Sequence, residues 1–348
     1  MTITQTNFTS QAGTISLFEL RNTKGTSVKI TNAGACITSI ITADKNGQMD
    51  EITLGFDDPS FYLSKAYFSN CPYLGATAGR FANRIARGKF SIGDKEYTLA
   101  VNNGNNHLHG GPTGYHAKLW DAELSGDDEN QKLVLTLKSP HLDEGYPGEV
   151  LVQVTFFLTN DDELIIYYHA TTNQATPINL TNHTYFNLNG LKNNILDHEV
   201  MIFADGYTEK IDDIPTGEIV AVKDTPYDFL TFHKIGERLN QLPQDAYDHN
   251  FVLNREKGEL TRSAIARDPE SGRTLEVFTT LPGMQFYTGY HLDGSYQRGG
   301  KRFERFGGFC METQYFPDSP NKPHFPDCIA TPDKPFDHTT VFKFGVEK

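Results

Sequence analysis

One stretch of the sequence, residues 178–188, combines the alternation of a β-strand with side chains that could transfer a proton. Apolar and polar residues alternate along it, with His183 near its middle and Asn182, Tyr185 and Asn187 on either side. Unperturbed imidazole titrates near a pH of about 6.5, so His183 is able to donate a proton at physiological pH. A hydrogen-bonded core histidine is the structural alternative. The polar neighbours favour a general acid.

A second set of chemical groups lies late in the chain. Glu312 is surrounded by apolar residues, which would raise the pKa of its carboxyl group toward the range of a general base. A carboxylate facing water at a strand end is the alternative. Asp248 begins the sequence Asp-His-Asn-Phe. Alternation over Met284–Tyr287 predicts one aromatic ring facing a ligand and the other facing the core.

Two loops add groups that bind hydroxyls. Residues 79–88 contain three arginines, and within them Asn83 and Arg84 offer the directional hydrogen bonds that a sugar needs. A solvated loop would explain the same residues. In residues 102–111 the pattern His107-x-His109 could supply two imidazole ligands to a metal ion. No carboxylate ligand follows, so we predict no metal site. The glycines after His109 predict that backbone closely approaches a ligand there.

Overall composition narrows the ligand class. The 348 residues carry 31 Lys and Arg against 44 Asp and Glu, a formal charge of −13. This excess of acids disfavours nucleic acid and anionic membrane surfaces as partners and favours a small neutral molecule. The sequence has no G-x-S-x-G elbow, P-loop or Rossmann glycine motif. Histidine, carboxylate, amide and guanidinium groups remain, and they suit proton transfer on a polyhydroxy compound.

The elements that position these residues are predicted to be β-strands. Period-2 alternation predicts strands at 89–92, 96–99, 132–138, 151–158, 164–170, 274–279 and 340–345. Short turns such as Gly93-Asp94 indicate antiparallel pairing. Only 58–65 and 232–239 favour short helices. We predict an all-β fold, a large antiparallel β-sandwich with few short helices, formed by a single domain over residues 1–348.

Cysteine usage and the first residues indicate a compartment. Cys36, Cys71, Cys310 and Cys328 are far apart in sequence and form no C-x-x-C, which predicts reduced thiols. The N-terminal residues contain no basic segment followed by an apolar one. We expect a cytoplasmic protein.

Several long motifs, in a fixed order, carry a family resemblance. The sequence closely resembles the aldose 1-epimerases, also called galactose mutarotases, nearly end to end. The motifs are GRFANRIARGKF, HLHGG, DEGYPGE, ATPINLTNHTYFNLNG, IPTGEI, DHNF, TTLPGMQFYTG, GFCMETQYFPDSPN and DHTTVFKF. The resemblance implies a large antiparallel β-sandwich and interconversion of the α and β anomers of hexoses such as D-galactose and D-glucose, without a cofactor.

The resemblance also implies a role for each residue that matches. His183 would donate a proton to the ring oxygen, Glu312 would take one from the C1 hydroxyl, and His109 would polarise the sugar near its ring oxygen. The sugar hydroxyls would be bound by Asn83, Arg84, Tyr185, Asp248 and Gln285. The family motif does not require His107.

Three alternatives stay open from the sequence. Asp248 and Glu312 form the carboxylate pair that a glycosidase needs. A hexose-6-phosphate epimerase would use Arg80 or Arg87 to bind phosphate, and a sugar-binding sandwich would have the pocket without catalysis. The sequence does not decide between galactose and glucose, or between a monomer and a homodimer.

Overall fold

The computed structural model describes residues 1–10, 13–127, 130–256 and 258–347. The largest sheet among these described residues has nine strands, and we call it the large sheet. Neighbouring strands in it are antiparallel. In spatial order the strands are Asp121–Ser125, Lys132–Ser139, Val150–Leu158, Glu163–Thr172, Phe336–Val346, Arg273–Thr279, Thr261–Arg267, Glu199–Ile202 and His233–Lys234.

Two five-stranded antiparallel sheets accompany it. The N-terminal sheet contains Thr2–Ser10, Gly13–Arg21, Ser27–Thr31, Cys36–Ala43 and Met49–Glu51. The second, which we call the site sheet, contains in spatial order Ile214–Ala221, Gly206–Ile211, Asp248–Val252, Gly283–Tyr287 and Cys310–Gln314. These sheets confirm the predicted antiparallel β-sandwich.

Short strand pairs and short helices complete the described elements. The pairs are Thr77–Ala78 with Thr181–Asn182, Arg84–Ile85 with His107–Leu108, Lys89–Ile92 with Lys95–Thr98, Thr176–Pro177 with Ile329–Ala330, and Gln297–Arg298 with Lys301–Arg302. An α-helix spans Lys65–Phe68, and 3₁₀-helices span Pro59–Leu63, Ala86–Gly88, Tyr115–Ala117, Asp143–Gly145, Leu239–Gln241, Pro243–Asp245 and Ser319–Asn321. No helix among the described residues has the length and hydropathy to span a membrane.

Period-2 burial explains why these residues form strands. Along Val150–Leu158, the side chains at alternate positions from Val150 onward are buried, while Leu151 is exposed. Those buried side chains belong to one core cluster with apolar residues of the site sheet, including Met284 and Phe286. The large sheet thus supports the back of the site sheet through a shared core.

Two predictions about local elements need correction. The segment 232–239 is not a helix, because His233–Lys234 pairs with Glu199–Ile202 at the edge of the large sheet and turns follow. Only Thr181–Asn182 of the segment 178–188 forms a ladder pair, and His183 follows it in irregular backbone. The prediction for 58–65 is close, since a 3₁₀-helix and a short α-helix follow each other there.

Arg273 links the large sheet to the N-terminal sheet. Its guanidinium is buried, contacts the Asp50 carboxylate at 2.9 Å and donates to the carbonyls of Thr42, Gln48 and Leu188. Removing one partner of a buried ion pair costs about 3–5 kcal/mol.

We therefore expect Arg273→Met to lower the free energy of unfolding by about 3 kcal/mol in urea denaturation. The matched control is Arg262→Met, because Arg262 on the adjacent strand forms a half-exposed pair with Glu276. Such a pair contributes about 0–1 kcal/mol. Equal losses in the two variants would contradict a linking role for Arg273.

Candidate active site

A cavity of about 320 Å³ opens over one face of the site sheet. Strand alternation separates the two faces. Phe286 and Met311 enter the core, whereas Gln285, Tyr287 and Glu312 line the cavity. The prediction that one aromatic of 284–287 faces the cavity and the other the core is confirmed. The cavity has the volume of a small-molecule site.

All eight sequence-predicted site residues line this cavity. Three come from the site sheet and five come from loops or short strand pairs that meet its edge: Asn83, Arg84, His109, His183, Tyr185, Asp248, Gln285 and Glu312. The register pairs Gln285 directly with Glu312, while Asp248 lies one strand further away. Because neighbouring strands are about 4.8 Å apart, the strand between them keeps Asp248 and Glu312 apart along the cavity.

His183 and Glu312 form a buried pair at the inner end of the cavity. His183 Nε2 lies 3.6 Å from Glu312 Oε1, and Glu312 Oε2 is buried without a hydrogen-bond partner among the described residues. Burial raises the pKa of Glu312 well above its ordinary value, with a smaller contribution from the negative charge of Asp248. Burial lowers the pKa of His183 to about 4. Neither group carries a charge at low cost unless the other compensates it.

Two aromatic rings stack against the His183 imidazole. Tyr73 stacks at a centroid distance of 5.9 Å and Tyr185 at 5.1 Å. The Cys310 thiol lies 3.5 Å from His183 Nδ1. Burial raises the pKa of Cys310, so this group is a neutral thiol beside the imidazole. These contacts fix the ring so that Nε2 points at Glu312.

The backbone of Asn83 determines which nitrogen of His109 carries its proton. The backbone N–H of Asn83 donates to His109 Nδ1 at 3.1 Å, and the backbone N–H of His109 donates to the Asn83 carbonyl at 3.2 Å. Both residues have positive φ, 63° for Asn83 and 48° for His109. Burial holds the pKa of His109 well below its ordinary value. A neutral imidazole that accepts at Nδ1 carries its hydrogen on Nε2. His109 is therefore a hydrogen-bond donor toward the cavity.

This tautomer conflicts with metal binding. One ligand atom from each of His109, His183 and Glu312 lies within 4.8 Å of the others, a spacing that a divalent cation accepts. A metal at His109 Nε2 would require a lone pair there, and the proton would move to Nδ1, against the Asn83 N–H. The three residues fit hydrogen bonding to a substrate better than metal ligation.

Asp248 lies at the outer end of the cavity among cations and an amide. Gln285 Nε2 donates to its Oδ1 at 2.6 Å, and Lys210 Nζ lies 3.5 Å from its Oδ2. Burial acts to raise the pKa of Asp248, but the charges of Lys210 and Arg84 hold it well below its ordinary value. Asp248 is an ionised acceptor.

The structure places the two histidines of the loop 102–111 in different surroundings. His107 does not share a face with His109: its Nδ1 contacts the Ala100 carbonyl and its Nε2 the Tyr146 hydroxyl. Gly110 is required by the close approach of the Gly79 carbonyl, which a Cβ would overlap. His107 is structural.

Arg80, considered above for phosphate, is structural as well. Its guanidinium is buried and donates to the carbonyls of Pro147 and Gly148 and to the Ser139 hydroxyl. The cavity is also lined by residues that were not predicted as site residues by number, among them Tyr73, Tyr287 and His291. Tyr287 follows from strand alternation, whereas Tyr73 and His291 lie in loops without a local signal.

The fold is an antiparallel β-sandwich, and its small-molecule cavity contains a buried histidine–glutamate pair. The family model for aldose 1-epimerase matches residues 16–343. The chain is 43% identical to galactose mutarotase from Bos taurus, over 96% of this chain and 95% of that protein, and 44% identical to galactose mutarotase from Mus musculus, over 97% and 96%. A crystal structure of a GalM/aldose epimerase homologue from C. elegans superposes with a TM-score of 0.88 at 26% identity, covering 99% of this chain and 100% of that one. The chain belongs to the aldose 1-epimerase family.

Proposed function

We propose that the protein interconverts the α and β anomers of a free hexose, D-galactose or D-glucose, by opening and reclosing the sugar ring. The contact between His183 Nε2 and Glu312 Oε1 at 3.6 Å is the observation that carries this proposal. The two oxygens that exchange protons during ring opening are bonded to the same carbon, C1. An acid and a base that serve them must therefore lie side by side.

Each proton transfer uses one member of the pair. The Glu312 carboxylate removes the proton from the C1 hydroxyl, a C1–O1 carbonyl forms, the bond from C1 to the ring oxygen breaks, and that oxygen takes a proton from His183. After rotation about C1–C2, the hydroxyl attacks the other face of C1. His183 regains its proton, Glu312 returns one to O1, and the opposite anomer is released.

The electrostatics of the pair suit this cycle. Burial favours the arrangement with a neutral carboxyl on Glu312 and a neutral His183. That is the arrangement the mechanism assigns to the open-chain intermediate, whereas the charged arrangement precedes ring opening. Because the pair holds one proton throughout, no proton need be exchanged with solvent in a turnover.

The remaining residues bind the sugar. His109 donates from Nε2 to the ring oxygen, and the hydroxyls are bound by Asn83, Arg84, Tyr185, Asp248 and Gln285. Positioning of this kind accounts for a large share of catalysis in addition to proton transfer. Asp248 acts as an ionised acceptor for a hydroxyl, since its lowered pKa leaves it no proton to donate.

Polarimetry tests the proposal directly. Freshly dissolved α-D-galactose and α-D-glucose should approach anomeric equilibrium faster with the purified protein than in buffer. Hexose 6-phosphates serve as the comparison and should be poorer substrates. No acceleration of either free sugar by the folded protein would overturn the proposed function.

The activity should depend on pH through the buried pair. The pair has one proton between the pKa of His183, about 4, and the raised pKa of Glu312. We expect kcat/KM to be lost as pH falls through about 4 and again as pH rises above the raised pKa of Glu312. The two apparent values belong to the pair. An acid limb near the ordinary imidazole pKa of about 6.5 would contradict this arrangement.

We also propose that the protein works in the cytoplasm and that residues 1–348 fold as one domain. All four cysteines are free thiols, and Cys36, Cys310 and Cys328 are buried, which suits a reducing compartment. One core cluster contains residues of all three sheets. Cell fractionation and a single cooperative unfolding transition are the expected results.

A further inference from the structure

A β-hairpin that contains none of the predicted site residues lies beside the cavity. Its strands, Gly206–Ile211 and Ile214–Ala221, are joined by Asp212 and Asp213, whose φ angles of 48° and 65° suit a tight two-residue hairpin turn. Gly206 and Tyr207 pair with Asp248–Val252, so the base of the hairpin is fixed to the site sheet. The tip extends past this pairing toward Arg84.

The hairpin contributes two charges to a closed ring of four. Asp213 contacts Arg84 at 3.3 Å and Lys210 at 2.8 Å. Asp248 contacts Lys210 at 3.5 Å and Arg84 at 4.0 Å. Charges alternate around this set, which we call the charge ring, and its formal sum is zero. Two members, Arg84 and Asp248, line the proposed sugar cavity.

The ring lies at the boundary between two cavities. A second cavity of about 1040 Å³ is lined by Lys210 and Asp213, and Arg84 and Asp248 line both cavities. The side chains of Arg84, Lys210 and Asp248 are 10%, 19% and 14% exposed. Such partly desolvated charges need nearby partners to keep one orientation.

We propose that Lys210 and Asp213 are positioning residues that orient Asp248 and Arg84 for the sugar hydroxyls remote from C1, and that the hairpin is a specificity element. The inference rests on the proposed function. In this arrangement Lys210 and Asp213 do not contact C1 or the oxygens that exchange protons. Their effect therefore belongs to substrate binding, and the proton transfers at Glu312 and His183 proceed without them.

Lys210→Met tests this by splitting KM from kcat. Without Lys210, two carboxylates share the single cation Arg84, and Asp248 loses its closest cation. We expect KM for galactose or glucose to rise on the order of tenfold while kcat changes by less than about twofold. The control is Lys343→Met, since Lys343 pairs with Glu163 at 3.0 Å in the large sheet and should leave both constants unchanged.

The double variant Lys210→Met/Asp213→Asn distinguishes a charge ring from a simple structural contact. It leaves Arg84 paired with Asp248, so the formal charges that remain in the ring again sum to zero. Its KM should be lower than that of Lys210→Met alone. A double variant whose KM rise is the product of the two single rises, or a Lys210→Met variant with wild-type KM, would overturn the inference.

Monodeoxy sugars identify the hydroxyl concerned. With the series of 2-, 3-, 4- and 6-deoxyglucose, the KM penalty of Lys210→Met should vanish for the sugar without the hydroxyl that Asp248 binds. An equal penalty for every sugar would mean general damage to the site and would contradict the inference. If the wild-type protein does not accelerate mutarotation, the proposed function fails, and calorimetric binding of the same sugars to the same variants still tests the ring.

Discussion

Replacement of Glu312 by glutamine is expected to lower kcat for mutarotation by about 10²- to 10⁴-fold, the usual contribution of a positioned base. Glutamine keeps the shape of the side chain but cannot accept the proton from the C1 hydroxyl. Polarimetry or saturation-transfer NMR on α-D-glucose gives kcat. The matched control is Glu96→Gln, because Glu96 is exposed and pairs with Lys89 away from the cavity.

The same substitution should stabilise the protein at neutral pH. Because the pKa of Glu312 is raised in the folded state, the folded protein holds this proton more tightly than the unfolded chain. The stability associated with the group is therefore present at low pH and is lost as pH rises above the ordinary carboxyl pKa. The variant should match the wild type near pH 4 and unfold at higher urea than the wild type at pH 8. Lower stability at pH 8 would contradict a buried, uncompensated carboxyl group.

The second large effect is expected for His183→Asn, which should also lower kcat by about 10²- to 10⁴-fold. Asparagine has no titratable proton to deliver to the ring oxygen. Because acid and base act in one step, adding Glu312→Gln to this variant should lower kcat little further. Losses that multiply in the double variant would show that the two residues act independently.

His107→Asn is the matched control for this substitution. His107 is as buried as His183, but its ring bonds to Ala100 and Tyr146 outside the cavity. We expect the control to lower the free energy of unfolding and to leave kcat of the folded protein unchanged. A comparable fall in kcat would mean that any buried histidine in this region supports the site indirectly.

Lys132–Ser139, Val150–Leu158 and Arg273–Thr279 of the large sheet were predictable because one face of each is buried. Val150–Leu158 alternates buried and partly exposed residues, and a period of two is visible in the sequence alone. The helix predicted for residues 232–239 was wrong because no such period decides the conformation there. Its edge strand has two residues and pairs with a distant strand, so tertiary pairing decides its conformation.

Residues that line the cavity could be predicted from the sequence, but their arrangement could not. Positive φ at Asn83 and His109 reverses the chain locally and creates the reciprocal hydrogen bonds that fix the His109 tautomer. A non-glycine residue gives little warning of such a conformation. The charge ring was missed because Lys210 and Asp213 meet Asp248 only after folding. Charged residues are common along the chain, and their spacing shows no pattern.

One feature of the large sheet bears on how the protein is made. Phe336–Val346 lies between Glu163–Thr172 and Arg273–Thr279 and pairs with both, although it follows both in the chain. On the ribosome, the two neighbouring strands are therefore synthesised with an unpaired edge each, and those edges stay open until the segment 336–346 emerges. Exposed strand edges invite pairing with other chains. We therefore expect chains that end before residue 336 to aggregate, whereas the full-length chain stays in solution, as centrifugation of the translated products would measure.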